Sequence, residues 1–314
     1  MVAIVLFEPA PMGTTCRTLD IVMNSSAKPL SVEANVERPT SNPTQELQDL
    51  QASRGAPPPA LPVAVAGGGE TGRKPSQASL RTADPEFLAE MQHESQRLES
   101  ATPQEVLAWA VGRFAPKFAM ATAFGPEGMT IIHMLAEIAP ETPVFNLDTG
   151  YQFAETLELR EEVKRRYGIE VELKQPELSV EEYERVNNGP VYSHDPGRCC
   201  RDRKLKVLEQ SALDYTAWAS AIRRDQSPDR AKAPIVGWDK KFGLMKVTPL
   251  ANWTKKDVWS LISKEQIPYN PLHDQGYTSI GCFPCTRNVL PGEDERAGRW
   301  SGFAKTECGL HTSD

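Results

Sequence analysis

Between Lys117 and Leu173, short apolar runs alternate with stretches of helical spacing, and no other feature constrains the fold as much. Lys117–Phe124, Thr142–Asp148 and Ile169–Leu173 read as buried strands. Met129–Ile138 and Phe153–Tyr167, lying between them, carry apolar residues at helical intervals. Strands that alternate with helices pack as a parallel sheet with helices on both faces. The expected fold is therefore a doubly wound, mostly parallel α/β domain over about Ala83 to Arg299. Ligands of such sheets bind beyond the carboxyl ends of the strands. Thr122 and the Gly125-Pro126-Glu127-Gly128 turn fall there, as does Asp148. The turn either cradles a phosphate with its N–H groups or simply joins strand to helix. Asp148 is either a ligand contact or a turn and cap residue.

The flanking elements follow from the same patterns. Glu86–Leu98 and Pro103–Phe114 are amphipathic, the second capped by Thr102 with Pro103 in first position. Ser179–Val186 is helical. Cys199–Leu213 has helical spacing, with Leu205, Leu208 and Leu213 as expected core residues. Trp218–Ile222 is a further strand running into Arg223-Arg224-Asp225-Gln226-Ser227-Pro228-Asp229-Arg230. That arginine-rich loop at a strand end is either a solvated face or an anion site. Pro234–Asn252 reads as a hairpin through Asp239–Gly243, and Lys255–Glu265 as a helix capped by Thr254. Ile267–Ile280 is an aperiodic loop. Glu293–Trp300 puts Arg296 and Arg299 three apart on what would be one helix face.

Composition divides the chain. Residues 1–80 hold one aromatic, Phe7, and ten of the 26 prolines, too few large apolar groups for a core. They read as a disordered arm. Acidic and basic residues nearly cancel in it, so the net charge of −7 belongs almost wholly to residues 81–314. An acidic domain argues against a general nucleic-acid surface but permits a local anion site. Val2–Phe7 is too short to span a bilayer and has no basic flank, so neither a membrane helix nor a leader is expected. The expected location is the cytoplasm, where cysteines stay reduced and serve as ligands or catalysts more often than as disulfides.

Six cysteines are present. Cys16 lies in the arm and matches no pattern. Cys199-Cys200 is a tandem pair and Cys282-Phe283-Pro284-Cys285 a C-x-x-C. Together they supply four thiolates, enough for zinc or an iron–sulfur cluster. Adjacent side chains diverge, which suits the separate corners of a cluster better than a single ion. Cys308 stands apart in Glu307-Cys308-Gly309-Leu310-His311. A tail that short is expected to bury nothing, leaving Cys308 mobile and exposed, as suits a thiolate nucleophile.

Cys199-Cys200-Arg201-Asp202-Arg203-Lys204, the Cys282/Cys285 pair and the terminal Glu307-Cys308-Gly309-Leu310-His311, in that order, resemble the assimilatory adenylyl-sulfate (APS) reductases within the phosphoadenylyl-sulfate (PAPS) reductase family. The resemblance covers about Ala115 to His311. It implies an adenine-nucleotide α-hydrolase-like sheet, with residues 81–299 as catalytic domain and residues 300–314 as a mobile catalytic tail. It also implies reduction of APS to sulfite and AMP by thioredoxin. One 4Fe–4S cluster would sit on Cys199, Cys200, Cys282 and Cys285, and Cys308 would carry an S-sulfocysteine. Reading the residues against that chemistry, we expect Lys204, Arg224, Arg296 and Arg299 on the sulfate and phosphate, and Thr122 and Asp148 on the nucleotide. The first loop departs from the family, which often has serine and paired acidic residues where Thr122–Gly128 stands. PAPS reduction is the alternative within the family, and a zinc-stabilised nucleotide-binding protein without redox activity is the alternative outside it.

Overall fold

The computed structural model describes residues 83–305, 307 and 309; the predicted arm, residues 1–80, and Cys308 lie outside the described residues. Two helices open the domain, α1 (Pro85–Arg97) and α2 (Pro103–Phe114). Thr102 and Glu105 form the reciprocal cap that Thr-Pro-Gln-Glu predicts. Then come β1 (Phe118–Thr122), α3 (Pro126–Ile138), β2 (Val144–Leu147), α4 (Ala154–Tyr167) and β3 (Val171–Lys174). Gly168, at φ +68°, ends α4 in the left-handed conformation that glycine adopts without strain.

After α5 (Val180–Val186) the chain reaches the tandem cysteines on α6 (Pro196–Cys200). The helix expected over Cys199–Leu213 forms but is not uniform. Arg201–Leu205 is a π turn, and α7 (Lys206–Ser211) follows. Leu205 and Leu208 are buried as expected; Leu213 is exposed, because it falls in a 3₁₀ turn beyond the helix. Last come β4 (Ala217–Ala219), the hairpin β5 (Val236–Asp239) and β6 (Leu244–Val247), and α8 (Lys255–Glu265).

The six strands form one sheet in the order β3-β2-β1-β4-β6-β5, parallel except for β5. Its two faces are legible in the strands. Phe118 and Met120 of β1, Val144 of β2 and Ala217 and Ala219 of β4 join the larger core with α2, α3, α4 and α8. Ala119, Phe145, Leu147 and Trp218, one residue out of phase, join a second core with Leu205, Val207 and Leu208. Alternate residues of a strand face opposite sides, so helices cover both faces. At the β5 edge, Val236 N–H donates to Ser95 Oγ of α1 at 3.0 Å. Among the described residues no helix is long and apolar enough to cross a membrane.

The sheet changes direction of winding between β1 and β4, the neighbours that are far apart in sequence. A crevice is expected at their carboxyl ends.

Candidate active site

A cavity of about 540 Å³ opens at that point, a size suited to a nucleotide-sized ligand. Thr122 at the end of β1, Asn146 and Leu147 at the end of β2 and Ser220–Arg223 after β4 form its floor. Thr122 Oγ accepts from Phe124 N–H at 2.9 Å, which shapes the turn into α3. Gly128 faces that hydroxyl, where a Cβ would not fit.

All four paired cysteines line this cavity as thiols outside any disulfide. They arrive from two directions. Cys199 and Cys200 end α6, and Arg203 on the π turn fixes that segment. Its Nε donates to Thr149 O at 2.6 Å, and its guanidinium packs between the rings of Tyr151 and Tyr183. Cys282 and Cys285 bracket a short 3₁₀ turn stitched to the same region: Cys282 pairs with Gln152 in an antiparallel bridge, and Phe283 N–H donates to Tyr151 O at 2.7 Å. The Thr149 hydroxyl lies 3.2 Å from Cys282 Sγ. Burial, reinforced by the other three thiols, pushes the Cys199 thiol up to about 12. Burial and then Cys282 and Cys200 push Cys285 up to about 11, against the pull of Arg299 and Lys305. The four thiols thus feel one another across one cavity. Among the described residues, no three His, Cys, Asp or Glu side chains are drawn together tightly enough to cage a single metal ion.

The charged residues of the remaining wall are mostly cationic. Arg203, Lys204, Arg223, Arg230, Lys255, Arg296 and Arg299 line it, against four acidic residues, Glu127, Asp274, Glu295 and Glu307. In a chain of net charge −7 that is a local reversal of sign. Arg299 lies 4.3 Å over the Trp300 ring, and Gly281 leaves the space its guanidinium fills. Arg223 pairs with Glu127 and Asp225; Arg230 and Arg296 both pair with Glu307, at 3.0 and 3.2 Å.

Of the residues expected to bind substrate, Thr122, Lys204, Arg296 and Arg299 line the cavity. Two do not. Asp148 closes the turn after β2: Oδ1 accepts from Gly150 N–H at 2.9 Å and Oδ2 from Gln175 at 2.8 Å. One oxygen is used within the turn and the other by Gln175, which follows β3. Arg224 reaches Ala233 O, Asn252 and Glu99 instead, tying the loop to the turn after α1. Its neighbour Arg223 and the later Arg230 take the cavity positions. The sequence flags the loop but not which arginine turns inward: Arg223 is extended and Arg224 opens a 3₁₀ turn, so the two side chains diverge. Arg296 and Arg299 share no helix face; they come from a run of turns. Cys308 lies outside the described residues, yet both flanking residues are held. Glu307 is 7% exposed, against the expectation that the tail buries nothing, and the Gly309 carbonyl accepts from Lys241 at 2.7 Å.

The cavity's polar lining is incomplete. Gln152 Oε1, Trp218 Nε1, Ser220 Oγ, Arg230 Nε, His273 Nε2, Arg299 Nε and Glu307 Oε1 are all buried there without a partner. Such groups are normally satisfied, so a concentration of them around one cavity marks a place for a polar ligand or water.

Residues 117–288 match the family model of the phosphoadenosine phosphosulfate reductase domain. A protein of Halalkalibacterium halodurans named adenosine 5'-phosphosulfate reductase is 45% identical over 218 residues, 69% of this chain and 94% of its own. One of Gloeobacter violaceus named phosphoadenosine 5'-phosphosulfate reductase is 42% identical over 70% of this chain and 93% of its own. Among solved structures, a phosphoadenylyl-sulfate reductase from Candida auris in a phosphate complex aligns with a TM-score of 0.58 and 27% identity. It covers 66% of this chain and 98% of that one.

Proposed function

Because this chain belongs to the phosphoadenosine phosphosulfate reductase family, we propose that it reduces APS to sulfite and AMP in assimilatory sulfate reduction, with thioredoxin as the thiol donor. The observation that carries this is the meeting of four cysteine thiols with Lys204 and four inward arginines, Arg223, Arg230, Arg296 and Arg299, in one nucleotide-sized cavity. Relatives bearing both the APS and the PAPS name match at similar identity. The choice of APS rests on the four paired cysteines, which the resemblance associates with the APS branch. A cytoplasmic location, where cysteines stay reduced and thioredoxin is a soluble dithiol, belongs to the same reading.

The chemistry follows from the residues. APS presents an electrophilic sulfur whose leaving group is AMP. The Cys308 thiolate attacks that sulfur; an S–S bond forms, the S–O bond to the phosphate breaks, and AMP departs with the electron pair. The cationic side chains would neutralise charge that builds on the sulfate and phosphate oxygens as the bond breaks. A thioredoxin thiolate then attacks Cys308 sulfur, and sulfite leaves with the pair, its sulfur reduced by two electrons. The second thioredoxin thiol resolves the mixed disulfide, so the dithiol becomes the disulfide.

Cys199, Cys200, Cys282 and Cys285 fit a 4Fe–4S cluster as a donor set: four thiols outside any disulfide lining one cavity, with Thr149 in contact with one sulfur. Bound there, the cluster would supply a fixed charge beside Lys204, tuning the field at the substrate anions. The test is single-turnover reaction with sulfur-labelled APS and no thioredoxin. Label appearing on the Cys308 peptide, absent from Cys308→Ser, is the expected result. Label on no cysteine, with full turnover in Cys308→Ser, would overturn the mechanism.

A further inference from the structure

The tail is held at two points, on either side of Cys308. Upstream, Glu307 sits between Arg230 and Arg296. Downstream, the hold is a single residue that neither the sequence pattern nor the cavity lining marks. Lys241 sits in the β5–β6 turn, a turn closed by Gly243 N–H on Asp239 O at 2.8 Å. Its Nζ donates to the Gly309 carbonyl at 2.7 Å, while the amine also lies 5.8 Å from the Phe242 ring centre. A second, independent feature points to the same dock. Gly309 has φ +82°, and a Cβ there would press to 3.3 Å on Leu205 Cδ1 and 3.7 Å from Lys241 Nζ. A glycine turns the chain this way without strain while its carbonyl reaches the lysine. Leu205 and Phe242 belong to the buried core of the second sheet face, so the dock is on a rigid part of the protein.

We propose that Lys241 is a positioning residue for the reaction: through the Gly309 carbonyl it fixes the downstream side of Cys308, as Arg230 and Arg296 fix the upstream side through Glu307. Two anchors with one residue between them restrict where that residue's thiol can be, and misplacement of a reacting atom by about 1 Å can cost up to about a hundredfold in rate. A lysine is suited to the task because the bond it makes to a neutral carbonyl is charge-assisted and survives whatever residue side chain follows. The inference rests on Cys308 being the nucleophile.

The experiment compares full-length Lys241→Met, Lys241→Arg and Gly309→Ala with wild type in three measurements. These are hydrogen exchange of the tail peptide, AMP affinity, and the single-turnover rate of label transfer from APS. Lys241→Met and Gly309→Ala are expected to speed exchange in the tail alone. They should slow label transfer about tenfold, with AMP affinity unchanged within about twofold. Lys241→Arg, which keeps the donor, should restore most of the rate. Unchanged tail exchange in Lys241→Met overturns the proposal, as does faster exchange with an unchanged transfer rate. Loss of AMP affinity in parallel with rate would make Lys241 a nucleotide contact and overturn it equally. If Cys308→Ser keeps turnover, the nucleophile assignment fails. The exchange arm would still report whether Lys241 holds the tail.

Discussion

Glu307 Oε2 lies 3.0 Å from Arg230 Nη2, and both side chains are at least nine-tenths buried. The same oxygen reaches Arg296, so one carboxylate of the tail neutralises two cavity cations. Removing it takes the shared carboxylate away from two cavity guanidiniums. Glu307→Ala is expected to lose about 2 kcal/mol of stability, below the cost of breaking a fully dry pair because the cavity admits water. Inorganic sulfate should then replace the missing charge. Its stabilising shift in melting temperature should be larger in the variant than in wild type. Equal shifts would mean that the two arginines do not receive anions.

The two adjacent arginines after β4 should separate cleanly. Arg223 lines the cavity, whereas Arg224 ties Glu99 and Asn252 to the loop at the surface. Arg223→Ala is expected to raise KM for APS at least about tenfold, the loss of roughly one charge-assisted contact. Arg224→Ala should leave KM alone and cost about 1 kcal/mol or less, since its partner is half exposed and screened. Steady-state kinetics and urea unfolding of the pair decide it, and the reverse pattern would restore Arg224 as the anion contact.

Serine at any of positions 199, 200, 282 or 285 is expected to abolish iron binding and lower the unfolding midpoint, because metal affinity at such a site is partly folding free energy. Cys308→Ser should retain wild-type iron. Elemental analysis of anaerobically purified protein measures both. One zinc per chain and no iron in wild type would favour the non-redox alternative.

His273 supplies a pH signature. Its ring packs edge-on against Trp259, and burial lowers its affinity for a proton. A bond to the Tyr277 backbone and the Asp274 carboxylate oppose that effect, and Lys255 adds to it. A histidine held neutral by the fold binds its proton more readily when unfolded. Its contribution is therefore complete above about pH 6.5 and declines as pH falls through the unfolded value toward the folded one. Wild type should lose more stability than His273→Gln between about pH 7.5 and 5.5 in urea titrations. Parallel losses would assign the acid limb to other groups.

The sheet was readable because its signal is periodic and local. Each strand from Lys117 to Leu173 announces itself by an apolar run, and Thr102 and Thr254 each cap the helix that their spacing predicts. What failed to show in the sequence depends on direction rather than pattern. Asp148 and Arg224 have the right chemistry at the right strand ends, but a neighbouring glycine amide and a surface glutamate claim them. Arg230 was visible only as a member of a basic loop. Lys241 carries no local signal, since its partner is a backbone carbonyl 68 residues away. Ser220 and Gln152 acquire meaning only when the strand ends converge and leave their polar atoms without partners.

The contact between Ser95 and the edge strand bears on where the folded unit begins. A terminal strand offers a row of free amides that another sheet can adopt. Helix α1 packs along β5, and the Ser95 hydroxyl takes the Val236 amide. A chain started at Ala83 keeps this cover and is expected to stay dispersed at high concentration. One started at Ala101 retains every cavity residue named above, yet presents an open β5 edge and should self-associate. Light scattering of the two truncations would therefore register a difference that an activity assay at high dilution would miss.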